Sequence, residues 1–146
     1  MRLLRSFARE QASGPLSLAL ARLAISRVDR RAHHDANALA VAHFVRRWVR
    51  YTHESPETVC DLERLAVLQA GDCDDMACAC AALLLRLGYR VRFVVGHLSW
   101  PAHIWVQAWS PRLGRWLDLD PSTHRVDPGQ SPASVRPFRK LTHHEV

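Results

Sequence analysis

Apolar positions recur at helical spacing through the first half of the chain and at alternating spacing after Gly88. Behind the breaker pair Gly14-Pro15, residues 15–31 carry Leu16, Leu20, Leu23 and Ala24 on one side, which predicts a helix. Residues 36–50 carry Val41, Phe44, Val45, Trp48 and Val49, the stripe of a core-facing helix, with Asp35 as its expected N-cap. Ser55-Pro56-Glu57 reads as the cap, first-position proline and first-turn acid of a shorter helix whose apolar side is Val59, Leu62 and Ala66. From Met76 to Leu87 the chain is nearly all Ala, Cys and Leu, with Arg86 its only charge. A helix apolar on every side is a buried helix. Gly88 supplies its stop, and Asp72, Asp74 and Asp75 sit where cap and helix dipole favour acids.

Beyond Gly88 the period becomes two. Tyr89, Val91, Phe93 and Val95 alternate with Arg90, Arg92 and Val94, and further strands are predicted over residues 103–109 and 115–119. Ser110-Pro111-Arg112-Leu113-Gly114 has hairpin-loop residues, so the three strands form an antiparallel meander. Helices first and sheet second is the α+β layout. Past Pro121 the composition turns to Ser, Thr, Pro, Arg and His. This tail is expected to be loop, with room for a strand or short helix that the pattern does not place, and its prolines and terminal position favour partial disorder.

At 146 residues and 48% hydrophobic, the chain is expected to form one domain. Its parts are an N-terminal helical extension (1–34), a core (35–122) and the tail (123–146). No apolar run approaches the length of a membrane span. The apolar stretch from Leu16 is cut by Arg22, a poor secretory signal, and the expected compartment is a reducing cytoplasm. Cys60, Cys73, Cys78 and Cys80 are too unevenly spaced for a disulfide framework. The net charge of +6 comes almost wholly from arginine, with Lys140 the only lysine, a bias that suggests a GC-rich bacterial or phage genome. Arg27–Arg30–Arg31 and Arg46–Arg47–Arg50 fall on the polar sides of helical patterns, where a solvated face explains them. No nucleic-acid-binding motif accompanies the charge, so neither a nucleic acid nor a membrane is expected as a partner.

Cys73 stands at the N-terminus of the buried helix, where free backbone N–H groups and the helix dipole favour a thiolate. The neighbouring aspartates oppose that unless a histidine outweighs them. His103 begins one strand, and Asp118 and Asp120 end the next, so a hairpin sets the histidine beside one of the acids. If the buried helix packs with its N-terminus at the same edge, Cys73 meets His103 and a nucleophile, base and orienting acid come together.

These residues carry a resemblance. Gly71-Asp72-Cys73-Asp74-Asp75 ahead of an Ala/Leu-rich helix resembles the cysteine motif of the transglutaminase-like superfamily, within the papain-like fold. Val94-Val95-Gly96 and His103-Ile104-Trp105-Val106 resemble its histidine motif, and Trp116 to Ser122 resembles its aspartate motif. Phe44 to Tyr51 is similar to the helix before the cysteine. The resemblance implies Cys73 as nucleophile, His103 as base and Asp120 as orienting acid, with Asp118 the runner-up. It also implies an oxyanion hole from the Cys73 N–H and a second donor, for which Trp48, Tyr51 and Gln69 are the candidates. Gln107 departs from the pattern, standing where an acid is often found. The implied reaction is acyl transfer on an amide of a protein or peptide, through a thioester released by water or by an amine. No cofactor is implied. The alternative is a non-catalytic module that keeps the fold and docks into a larger bacterial or phage assembly.

Simpler readings cover much of the rest. Cys78 and Cys80 are expected in the core, His97 in a loop, and Trp105 and Trp109 as packing rather than substrate platform. Trp100-Pro101 either covers the cleft or packs. A zinc site is excluded by spacing: Cys73 and Cys80 lie about 10 Å apart along one helix, and His33-His34 and His143-His144 are adjacent pairs that diverge.

Overall fold

The computed structural model describes residues 1–29, 31–53, 59–97, 102–135 and 138–146. The elements are α1 (Arg2–Ser13), α2 (Pro15–Ile25), α3 (His34–Trp48), β1 (Arg50–Tyr51), α4 (Leu62–Leu68), β2 (Ala70–Gly71), α5 (Cys73–Arg86), β3 (Val91–His97), β4 (His103–Ser110), β5 (Arg115–Leu119), a 3-10 turn at Pro132–Ser134, and β6 (Lys140–Glu145). The fold is α+β. A four-stranded antiparallel sheet in the order β5-β4-β3-β6 carries α5 against β3 and β4, and α1, α2 and α3 pack around α5.

That central position accounts for the composition of α5. Every residue from Asp75 to Leu84 is buried. Small side chains such as Ala77, Ala79, Ala81 and Ala82 let three helices and a sheet approach one axis, a density that larger residues would prevent. The meander predicted from the period-two pattern is present, and the hairpin pairs Val106 with Leu119 and Gln107 with Asp118.

Several expectations are corrected. Helix α1 falls within the helical extension expected over 1–34, but its bounds are not legible there, because Arg2, Arg5, Arg9 and Glu10 dilute a narrow apolar side; Leu4, Phe7, Ala8 and Ala12 nonetheless pack on the core. Helix α2 ends at Ile25 rather than residue 31, and Leu23 is 59% exposed instead of inward-facing. Asp35 does not cap α3; His33 holds that position. Asp35 lies buried in the first turn and pairs at 2.8 Å with Arg112 from the β4–β5 loop. Its carboxyl is held below its ordinary range: burial pushes it up, but hydrogen bonds from Ser110 and Arg112 and the Arg112 charge outweigh that. The shorter helix expected from Ser55 is α4 and begins at Leu62, capped by Asp61, whose carboxylate accepts from the Arg64 N–H at 2.6 Å. Val59 precedes it and is exposed. The proposed opening Ser55-Pro56-Glu57 lies outside the described residues, as does Trp100-Pro101. The tail, expected as loop, supplies the 3-10 turn and edge strand β6, which pairs antiparallel with β3 from Arg92↔Glu145 to His97↔Lys140.

No helix among the described residues is long and apolar enough to cross a membrane.

Candidate active site

Two local devices set Cys73 at the first position of α5. Asp72 caps the helix, its Oδ1 accepting from the Asp74 N–H at 2.9 Å and the Asp75 N–H at 3.3 Å. Asp75 completes the box: its Oδ2 accepts from the Asp72 N–H at 3.2 Å, and its Oδ1 accepts from the Cys60 N–H at 2.6 Å. Gly71 is what lets Asp75 come this close, since a Cβ there would lie 2.7 Å from its Oδ2. The second device is the short parallel ladder of β1 and β2. It registers Tyr51 opposite Gly71, and the Thr52 N–H donates to the Gly71 carbonyl at 2.9 Å.

The Ile104 backbone N–H donates to the Cys73 sulfur, so the thiol lies against β4 one residue beyond His103. His103 Nε2 donates to Asp120 Oδ2 at 2.6 Å, and the Asp120 side chain is fully buried. The other carboxylate oxygen accepts from the Ser122 N–H at 2.9 Å and the Ser122 hydroxyl at 2.8 Å. With Nε2 committed to Asp120, Nδ1 is the ring nitrogen left for other chemistry. Asp118 goes elsewhere: its Oδ1 accepts from Trp105 Nε1 at 2.6 Å and Gln107 Nε2 at 2.7 Å. Gln107 also accepts from Arg92 Nε at 2.7 Å. It is therefore a buried link between Arg92 and Asp118. Trp105 is buried, and Trp109 stacks edge-on with Trp116 at 5.5 Å. His97 ends β3 rather than sitting in a loop, and its ring contacts Thr142 on β6.

Two residues to which the sequence assigns no part in the chemistry lie against the site. Arg46 was assigned to a solvated face, but its side chain is only 7% exposed. Its Nη2 donates to the Asp120 carbonyl at 2.7 Å and the Val126 carbonyl at 2.9 Å, tying the loop after β5 to α3. Arg47 and Arg50 are exposed, as are Arg27 and Arg31; Arg30 lies outside the described residues. Phe138 lies parallel to the His103 ring at 6.3 Å and against Trp105 at 5.4 Å. A Cβ at Gly96 would stand 2.5 Å from the Phe138 ring, so glycine there admits it. A lone aromatic in a tail of Pro, Arg and His was the available signal for Phe138. Arg46 gave none, because its place in α3 looks like any polar position.

Burial, together with the negative charges of Asp74 and Asp72, pushes the Cys73 thiol up to about 12, against the Ile104 N–H that favours the thiolate. The thiol donates to Asp74 Oδ1 at 3.5 Å. Cys73 in this state is a protonated thiol at neutral pH, not a standing thiolate. Cys78 and Cys80 are buried core thiols raised further, chiefly by burial. Asp74→Asn removes one of the opposing charges, so alkylation of Cys73 at pH 8 is expected to speed up several-fold, while Cys78 and Cys80 stay slow. Mass-resolved iodoacetamide labelling reads this, and an unchanged rate would remove Asp74 as a control on the thiol.

Asp72, Cys73 and Asp74 are the only described residues whose donor atoms cluster as a metal site would require. The capping bonds of Asp72 already account for the arrangement.

A cavity of about 300 Å³ opens beside His103, walled by Tyr51, Ser122, Thr123, Arg125, Pro132 and Val135. Of the three candidate second oxyanion donors, Tyr51 borders it. Trp48 and Gln69 line a neighbouring cavity that Tyr51 also borders.

Residues 22–121 match the Transglut_core family, described as the transglutaminase-like superfamily. The chain belongs to this superfamily. It is 33% identical over 67 residues to a Drosophila melanogaster peptide-N(4)-(N-acetyl-beta-glucosaminyl)asparagine amidase, covering 46% of this chain and 10% of that protein. Among solved structures, a protein of Cytophaga hutchinsonii provisionally described as a cysteine protease superposes with a TM-score of 0.60 at 20% identity, over 87% of this chain and 48% of that one. A TGase gives 0.60 at 16% identity, over 83% and 34%. The chain thus spans a tenth of the amidase and about half of the Cytophaga protein. The structural likenesses show the shared transglutaminase-like fold.

Proposed function

We propose that the chain is a cysteine amidase or peptidase whose nucleophile is Cys73, with His103 as base and Asp120 as the acid that orients it. The His103–Asp120 pair at 2.6 Å, at the strand edge where the Cys73 sulfur meets the Ile104 N–H, carries this reading. Because the thiol is protonated, the reaction begins with proton transfer. His103 Nδ1 takes the proton as the sulfur attacks the amide carbonyl carbon. Negative charge on the carbonyl oxygen is met by the Cys73 N–H, with Tyr51 as the second donor. The C–N bond then breaks, the imidazolium returns its proton to the departing amine, and a thioester remains on Cys73. Water attacks that thioester, giving a proton to His103; the acid is released and the sulfur recovers its proton. An amine in place of water would make the product a new amide. Hydrolysis is favoured here because the Drosophila relative, 33% identical over the 67 matched residues, is named an amidase.

A screen of quenched fluorescent peptides and glutaminyl amides, run with the wild type and Cys73→Ala, tests the reading. Turnover by the wild type that disappears in the variant is the expected result. Equal turnover by both overturns it, and no turnover by either favours the non-catalytic module.

A further inference from the structure

We infer that the cavity next to the catalytic one holds a carboxylate of the substrate, one or two residues away from the bond that is cut. This rests on the catalytic reading above and names the substrate class for the same site. The cavity measures about 450 Å³. That suits one side chain of a peptide and lies within the range of small-ligand sites. Its walls include Arg47, Trp48, Arg50, Tyr51, Gln69 and His124. Among the described residues no carboxylate lines it, and the Arg47 and Arg50 guanidiniums have no ion pair. Arg46 also borders the cavity, but Asp127 and two carbonyls engage it. Two exposed arginines line the same cavity as the apolar side chains of Trp48 and Leu68, a combination that matches a glutamate, whose methylenes pack while its carboxylate takes N–H donors.

Continuity places this cavity on the path of the substrate. Tyr51 borders both cavities. The loop after β5 supplies Ser122, Thr123 and Arg125 to one and His124 to the other. Arg125 lines the catalytic cavity too, so the carboxylate's place on the substrate follows from which cations face the thiol's own acid and which do not. Asp74 lies 3.5 Å from the Cys73 sulfur and repels an acid at the scissile residue, whereas Arg47 and Arg50 attract one beyond Tyr51. A peptide fits better than a nucleic acid, because the catalytic reading on which this rests is attack on an amide carbonyl; a nucleic acid is one outcome of the test below.

The test scans a single glutamate through an end-blocked quenched peptide, with a free-ended peptide as a second arm. The proteins are wild type, Arg47→Gln/Arg50→Gln and the control Arg86→Gln, whose charge lies at the far end of α5. Wild type is expected to prefer glutamate at one position beside, not at, the cleaved bond by about five- to tenfold, as partly exposed ion pairs allow. The double variant loses most of that ratio and the control keeps it. A preference confined to the free-ended peptide assigns the cavity to a chain terminus and overturns the side-chain form. No preference, or one indifferent to Arg47 and Arg50, overturns the inference while leaving the catalytic reading intact. If no peptide is cleaved the catalytic reading fails, and fluorescence anisotropy then decides binding alone. There a labelled glutamate peptide should bind Cys73→Ala more tightly than its glutamine counterpart, weakening with salt and on loss of Arg47 and Arg50. Tighter binding of a single-stranded oligonucleotide with the same arginine dependence would overturn the inference.

Discussion

Asp120→Asn is expected to lower kcat by roughly three to four orders of magnitude, while Asp118→Asn lowers it by less than about tenfold. Both acids sit at the end of the same hairpin, two positions apart, yet they have different partners. Asp120 receives the His103 Nε2–H on one oxygen and two donors of Ser122 on the other. An asparagine there is held by the same Ser122 donors through its carbonyl oxygen, which leaves its NH2 facing His103. The ring must then flip or take the other tautomer, and Nδ1 no longer serves as base. Asp118 holds Trp105 and Gln107, so Asp118→Asn disturbs a structural link and should register in thermal stability before it registers in turnover. Steady-state kinetics with melting curves on both variants checks this. Equal kcat losses would mean that Asp118, not the Asp120 pair alone, orients the base.

The second large effect is on stability. Asp75→Ala is expected to cost about 3–5 kcal/mol, because it leaves two buried N–H groups, those of Asp72 and Cys60, without acceptors. Against a total stability of about 5–15 kcal/mol, that is a substantial fraction. Asp75 is fully buried; its two oxygens hold the Asp72 and Cys60 N–H groups and so join the start of α5 to the segment leading into α4. Asp74 points to the thiol instead, and Asp74→Asn should change stability by less than about 1 kcal/mol. Urea unfolding separates the two. A loss below 1 kcal/mol in Asp75→Ala would show that the capping box is not what fixes Cys73.

How much of this was legible in the sequence depended on the range of the interactions. The buried helix α5 and the β3–β5 meander were readable because local pattern and burial agree in them. So were the positions of Cys73, His103 and Asp120 along the chain, since a hairpin and a helix start are short-range features. Asp118 and Asp120 could not be separated, because alternation puts both on one face, and the choice depends on what Trp105 and Gln107 reach. The three acids after Gly71 read as equivalent caps. In the structure Asp72 caps, Asp75 bridges and Asp74 acts on the thiol. The roles of Arg46 and Phe138 were not legible for the same reason: each matters through a partner more than thirty residues away, Asp120 for one and His103 for the other. Strand β6 was missed because its alternation of Lys140, Leu141, Thr142, His143, His144 and Glu145 is almost entirely polar, as an edge strand permits.

The central claim is that Cys73 forms a thioester with an amide-derived acyl group. Intact mass spectrometry of the wild type, acid-quenched during turnover of an activated peptide ester, tests it most directly. A mass increase equal to the acyl group is expected, mapped by digestion to the peptide holding Cys73 and absent from Cys73→Ala. An adduct on another residue, or continued turnover by Cys73→Ala, would contradict it.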